Sequence, residues 1–450
     1  ELNRIAKTSL NCTNAFSMGN PTEFALPGLF ASSYLLDEGG YTEGISNRKN
    51  VLAEILKREG YSTAAFTPIF RPSSDNYNRG FDDYFNICDP RVILKNFSNT
   101  TKWYYEKHQS AEIEEKECID ALIKSCDSYF HDLIKYCQYW QAHSSDPIFP
   151  KSIIFHNMDY RSLQKQLENE QDKYCRNKIE YMGNYLKGEE LGFAKIVNAA
   201  IEKRLKKTSL SWTDVRYRKI MLKNLLQIWK SSTSYESGKE VLGLALYRIM
   251  QGQSRWTKYP SSGFILEMFK SWMEKQNTTS PFYTYIHLLD VHELNHYSYD
   301  LIDKEKEKNV ELDILKDVLA DIRRSENYKG NVLYDSSIRY VDNVISSLRS
   351  FLNKTGKLED TLIVITSDHG GMFHNIPERD HISHRLDCFY DELYHVPLIF
   401  SDKETCKLEY EGLTSSVDIA PTILKKLNIK SIVSITYWLN HYQKMKYILN

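Results

Sequence analysis

Leu362-Ile363-Val364-Ile365-Thr366-Ser367-Asp368-His369-Gly370-Gly371 is the stretch whose reading decides the fold. A run of apolar, β-favouring residues passes straight into Ser367, Asp368, His369 and two glycines. This predicts a strand buried on both faces that ends in a loop carrying ionisable groups. Upstream, Tyr334 to Leu352 spaces its apolar residues as an amphipathic helix, and Lys354 to Asp360 turns the chain into the strand. Downstream, Phe389 to Phe400 leads into another strand, and Ser416 to Leu427 reads as a helix with Pro421 tolerated in its first turn. Open α/β sheets place their chemistry at such strand ends. A carboxylate and an imidazole side by side can turn to one point, and together they suit a divalent metal. Asp368 could equally cap a turn, and these ten residues leave both uses open.

The 450 residues are 42% hydrophobic and 26% charged, with 58 Lys plus Arg against 59 Asp plus Glu. That chain can bury a large core, and its near-neutral balance argues against nucleic acid or an anionic membrane as partner. No apolar run is long enough to span a membrane. The first residue is Glu, no leader is visible, and compartment stays open. Eight cysteines without a C-x-x-C pair predict buried thiols rather than a disulfide framework or structural zinc.

Glu1 to Thr13 reads as a helix and turn, and Asn14 to Ser33 as a strand, a Gly-Asn-Pro turn and a new helix. Thr22 then stands near a helix N-terminus, where amides and dipole favour an anion. A plain N-cap is the alternative use. Asn50 to Phe66 is a helix stopped at Gly60 and followed by a strand, and Asn78 to Phe85 is a structural loop. From 99 to 259 the chain turns rich in Lys, Glu, Tyr and Gln with helical spacing, as in Ile119 to Tyr139 and Lys219 to Trp229. This predicts a helical insertion between the α/β segments 1–98 and 260–430, with 431–450 as a tail. Lys203 to Lys207 reads as a solvated helix face. A helix from Gly263 to Gln276 leads to the strand Phe282 to Ile286, which again finishes in ionisable groups, His287, Asp290 and His292.

Four motifs carry a family resemblance: the helix with Tyr340-Val341-Asp342, the strand end Thr366-Ser367-Asp368-His369-Gly370, the strand His395-Val396-Pro397-Leu398, and the helix Val417-Asp418-Ile419-Ala420-Pro421-Thr422. In this order and spacing the chain resembles the sulfatase branch of the alkaline phosphatase superfamily. The resemblance implies an alkaline-phosphatase-like α/β fold with a central, mostly parallel sheet flanked by helices, and a metal-dependent hydrolase of sulfate or phosphate esters. The ester could belong to a small molecule, a glycan or a lipid headgroup. Formylglycine sulfatases begin their signature with Cys or Ser, followed by x-Pro-x-Arg. The matching stretch here is Thr22-Glu23-Phe24-Ala25-Leu26, so formylglycine cannot form. The chain is closer to members that use an unmodified Thr, such as phosphoethanolamine transferases.

On that resemblance Thr22 is the nucleophile and Asp368 with His369 binds a divalent metal, zinc or manganese by donor type, calcium in an all-oxygen setting. His292 protonates the leaving oxygen, His384 holds the sulfuryl or phosphoryl oxygens, and His287 and Arg385 bind substrate; His374 and His381 compete for the role of His384. The family also draws metal-binding aspartates from a strand that would precede Glu1, and final strands that Lys430 to Asn450 lack. The resemblance therefore implies a sequence short at both ends. Two rival functions share these residues: a phosphotransferase or phosphodiesterase, and a degenerate, non-catalytic binding protein.

Overall fold

The computed structural model describes residues 1–34, 36–37, 44–45, 47–68, 77–87, 90–146, 148, 158–208, 261–276, 280–292, 302–303, 308–309, 332–371, 389–405 and 407–429. The chain opens with α1 (Leu2–Ala6), β1 (Leu10–Phe16), α2 (Thr22–Ala31), α3 (Leu52–Arg58), β2 (Ser62–Thr67) and β3 (Asp83–Asn86). A helical run follows, α4 (Pro90–Gln109), α5 (Glu115–His143), α6 (Tyr160–Arg176), α7 (Lys178–Leu186) and α8 (Gly192–Thr208). Then come α9 (Ser262–Lys275), β4 (Phe282–Ile286), the two-residue strands β5 (Ile302–Asp303) and β6 (Lys308–Asn309), and α10 (Val332–Lys354). The last elements are β7 (Ile363–Thr366), α11 (Asp391–Tyr394), β8 (His395–Ser401), β9 (Leu408–Tyr410), β10 (Thr414–Ser415) and α12 (Ile419–Lys426).

Local chemistry accounts for many of these boundaries. Gly60 takes a positive φ of 85° just past α3, the left-handed conformation that glycine adopts without penalty. Asp159, Asn177 and Ser261 each accept a backbone N–H at the start of α6, α7 and α9. Pro421 sits in the first turn of α12, after a 3-10 turn closed by a Ser415–Asp418 capping box. In the stretch before β3, Arg79 forks onto Glu54 at 2.9 and 2.7 Å and also bonds the carbonyls of Ile45 and Arg48.

The fold is α/β. β1 is the hub of one sheet in the order β10-β1-β8-β7, with β9 also paired to β1. β9 and β10 run parallel to β1, whereas β8 runs antiparallel to both β1 and β7. β2 lies parallel between β3 and β4 in a second sheet. The expected parallel character thus holds throughout the second sheet and around β9 and β10, and β8 and the separate two-stranded β5–β6 pair are the exceptions among the described residues.

Two further expectations are corrected. β7 packs on both faces but less deeply than expected: Ile363 and Ile365 meet one apolar cluster and Val364 the other, with Val364 to Thr366 only half-buried. β7 is paired on one side only among the described residues, so its flank is not covered by a neighbouring strand. Leu10 to Thr13, read as a turn, are strand, because Leu10 and Cys12 point into the core and a bulge lets Ala15 do the same.

The helical run begins at Pro90, ahead of the composition change at 99, and it has no core of its own. Trp140, Phe130 and Phe193 from its helices join Phe66, Phe85 and Trp272 in one apolar cluster. A second cluster packs α2, α3 and α12 on β1 and β8 through Leu26, Leu56, Ile419, Leu398 and Phe400. Four of the five described cysteines are buried thiols, Cys175 being the exposed one. Among the described residues no helix is long and apolar enough to cross a membrane. Lys203 to Lys207 fall on α8, whereas Lys219 to Trp229 and the tail 431–450 lie outside the described residues.

Candidate active site

The site begins where β1 ends. Ser17 to Pro21 carry the chain from β1 to α2, with a cis peptide between Asn20 and Pro21. Gly19 has no substitute there, since a Cβ would lie 2.4 Å from the backbone of Phe24. Pro21 occupies the N-cap position without a side-chain cap, which makes Thr22 the first residue of α2. The N-cap reading of Thr22 is therefore corrected. A first-turn residue has its own hydroxyl to spend elsewhere, and Thr22, only 8% exposed, donates it to Asp368 Oδ2 at 2.6 Å.

Asp368 comes from the loop after β7. Its Oδ1 accepts the His369 amide at 2.9 Å, and its backbone carbonyl accepts the hydroxyl of the buried Ser17. Burial works against the charged form of Asp368. His369, His287, the Thr22 hydroxyl and the His369 amide outweigh it and hold the carboxyl below its ordinary range. The His369 ring is oriented by its Nδ1, 2.6 Å from the Gly370 carbonyl. A carbonyl only accepts, so Nδ1 carries a proton and Nε2 is the ring nitrogen turned toward Thr22. That Nε2 lies 3.3 Å from Thr22 Oγ1 and 3.7 Å from Asp368 Oδ2. Gly370 is locked as well: its N–H donates to the Leu393 carbonyl at 2.8 Å, and a Cβ would meet the Glu392 carbonyl oxygen at 1.9 Å.

The end of β4 reaches the same place. His287 is buried, its amide donates to the Phe66 carbonyl at 2.9 Å, and its Nδ1 lies 2.7 Å from the Tyr285 hydroxyl. Burial holds its imidazole below the ordinary value, against the pull of the Asp368 charge and with His369 and His292 adding to the depression. His292 stands on an exposed turn closed by its own amide and the Leu289 carbonyl at 3.1 Å. The turn is anchored by the buried Asp290, which accepts both the amide (2.8 Å) and the hydroxyl of Ser262 at the start of α9.

Of the residues singled out in the sequence, Thr22, Asp368, His369 and His287 come together, and His292 acts electrostatically on His287 from the neighbouring turn. His384, Arg385, His374 and His381 lie outside the described residues. Sequence reading missed Ser17, for which no local signal exists. It also missed Tyr285, which stands two positions before His287 and therefore on the same face of β4. The Asp368 carboxylate and the His369 imidazole are a residue pair of the right type for a divalent cation. Among the described residues no third His, Cys, Asp or Glu joins them in a ligand group.

Comparison with known proteins places these residues in a family. A model of the sulfatase family matches residues 172–429, more than half of the chain, a span that takes in His287, His292, Asp368 and His369 but not Thr22. The multifunctional alkaline phosphatase superfamily protein PehA of Trinickia caryophylli is 31% identical over 112 residues, 24% of this chain and 21% of that protein. The match thus spans about a fifth of the relative's length. Among solved structures, a phosphonate monoester hydrolase of Agrobacterium radiobacter superposes with a TM-score of 0.44 at 14% identity, over 95% of this chain and 68% of that one. The phosphonate monoester hydrolase SpPMH of Silicibacter pomeroyi gives 0.43 at 13% identity, with the same coverage of 95% and 68%. On the extent of the family match, the chain belongs to the sulfatase family.

Proposed function

We propose that this chain hydrolyses sulfate or phosphate esters with Thr22 as the attacking nucleophile. One observation carries the reading: Thr22 Oγ1 stands at the first position of α2, 2.6 Å from the Asp368 carboxylate and 3.3 Å from His369 Nε2. The start of α2 favours an anionic ester group through its amides and dipole. Asp368 accepts the hydroxyl proton and orients the oxygen for in-line attack on sulfur or phosphorus. As the new O–S or O–P bond forms, the ester oxygen leaves with a proton from His292, while His384, Arg385 and His287 hold the nonbridging oxygens. Water then cleaves the Thr22 ester. Asp368 and His369 are the residues that would hold a divalent cation, which when bound lowers the pKa of a coordinated hydroxyl and neutralises developing charge. The substrate class is a sulfate or phosphate ester of a small molecule, glycan or lipid headgroup.

The test is turnover of p-nitrophenyl sulfate, p-nitrophenyl phosphate and bis-p-nitrophenyl phosphate with zinc, manganese or calcium added, beside Thr22→Ala. Metal-stimulated turnover that falls by about 10³-fold or more in the variant is expected. Turnover that survives Thr22→Ala would reject the nucleophile. Failure with all three esters and all three metals would count against the hydrolase.

A further inference from the structure

We infer that Tyr285 is a positioning residue: its phenol donates to His287 Nδ1 and so fixes His287 as the Nε2–H tautomer, giving the end of β4 a single imidazole N–H donor. The role of that donor toward a transferred group rests on the hydrolase reading above. The tautomer itself does not.

Tyr285 and His287 are two apart on β4 and share a face. Among the described residues the hydrogen-bond partner of the Tyr285 hydroxyl is His287 Nδ1, at 2.7 Å. The Tyr285 ring is fixed by edge-on packing against Phe30, centroids 4.7 Å apart. His287 Nε2 has no hydrogen-bond partner among the described residues. A neutral imidazole owns one N–H, and burial keeps this ring neutral. If that proton sat on Nδ1, the phenol would have to accept it and its own proton would lose the acceptor it has. With the proton on Nε2, the phenol donates and Nδ1 accepts. Burial and then the Asp368 charge push the Tyr285 phenol well above its ordinary value, so it keeps the proton it donates.

The consequence separates the two imidazoles of the site. His369, with Nδ1 held by the Gly370 carbonyl, keeps Nε2 as the nitrogen that would meet a cation; His287, with its proton on Nε2, offers a donor suited to an oxygen of the ester group and no lone pair for a metal. The same residue type is thus set to opposite tasks by one neighbour each, a carbonyl for His369 and a phenol for His287.

The tautomer is read directly by ¹⁵N NMR of the whole chain labelled at histidine, with the His287 signals identified by their loss in His287→Gln. We expect a bare-nitrogen signal at Nδ1 and a protonated one at Nε2, unchanged when zinc is added. In Tyr285→Phe this separation should collapse toward exchange between tautomers. A protonated Nδ1 in the unmodified protein, or a His287 Nε2 that zinc deprotonates, would overturn the inference without any variant being needed. So would an unaltered His287 pattern in Tyr285→Phe. Because none of these readings needs turnover, loss of the hydrolase proposal alone would leave them interpretable.

Discussion

Replacing Ser17 by alanine separates positioning from chemistry. Ser17 is 5% exposed, and its hydroxyl donates to the Asp368 carbonyl, lies 2.9 Å from the Gly19 carbonyl and accepts the Gly19 amide at 3.3 Å. Its amide, which alanine keeps, donates to the Tyr394 carbonyl at 2.7 Å. The substitution therefore removes one buried hydroxyl bond and leaves a buried carbonyl and a buried amide short of a partner. Each such loss costs about 1–3 kcal/mol, and because one hydroxyl proton cannot serve both carbonyls fully, a total of about 2 kcal/mol is expected. Urea unfolding followed by tryptophan fluorescence should show the midpoint lowered at unchanged slope. Asp368 is also released from the turn that carries Thr22, and a displacement of about 1 Å at a reacting centre costs roughly 10²-fold in rate. Ester turnover, where observed, should fall by that order while Thr22 and Asp368 are both still present. A variant within about 0.5 kcal/mol of the parent, the range of an ordinary surface change, would refute the claim that this hydroxyl ties the two strand ends together.

Three other outcomes follow from the packing. Gly370→Ala should destabilise by about 3 kcal/mol, since its Cβ would meet backbone oxygen at 1.9 Å; Gly183→Ala, in the middle of α7 with nothing within 4 Å, should instead stabilise by roughly 0.5–1 kcal/mol. Equal effects at the two sites, read by thermal melts, would contradict this backbone geometry. Lys426 bonds Asp402 at 2.7 Å and Thr405 at 2.8 Å, so Lys426→Met should cost about 2 kcal/mol at neutral pH. Burial opposes the charge of Asp402, but Lys426 and Thr405 hold its carboxyl below the ordinary value. Its contribution is then present above the ordinary carboxylate range and fades as pH falls through the depressed value. The stability gap between parent and Lys426→Met should narrow by about pH 3, and a gap constant with pH would reject the pairing.

What was legible in the sequence is what local spacing encodes. The strand end at Ser367 to Gly371 and the helix start at Thr22 each announce themselves by an apolar run meeting a turn. The structure joins them across 346 residues in a single 2.6 Å bond. The supports of that bond were not legible, because Ser17 owes its role to a carbonyl 351 residues away, which no local pattern announces. Nor could the apolar run of β7 reveal its half-exposure, since burial of a strand depends on which strands flank it, and β8 covers only one side among the described residues. Composition changes character at 99, whereas the helices set in earlier. Pro90 starts the helix, whose first turns carry the apolar Val92, Ile93 and Phe97 of the shared core, so the polar bias appears only from 99. Tyr285 is the intermediate case. Its two-residue spacing from His287 was in plain view, and strand periodicity already put both on one face. Only the 2.7 Å contact gives that spacing a chemical meaning, because it decides which ring nitrogen carries the proton.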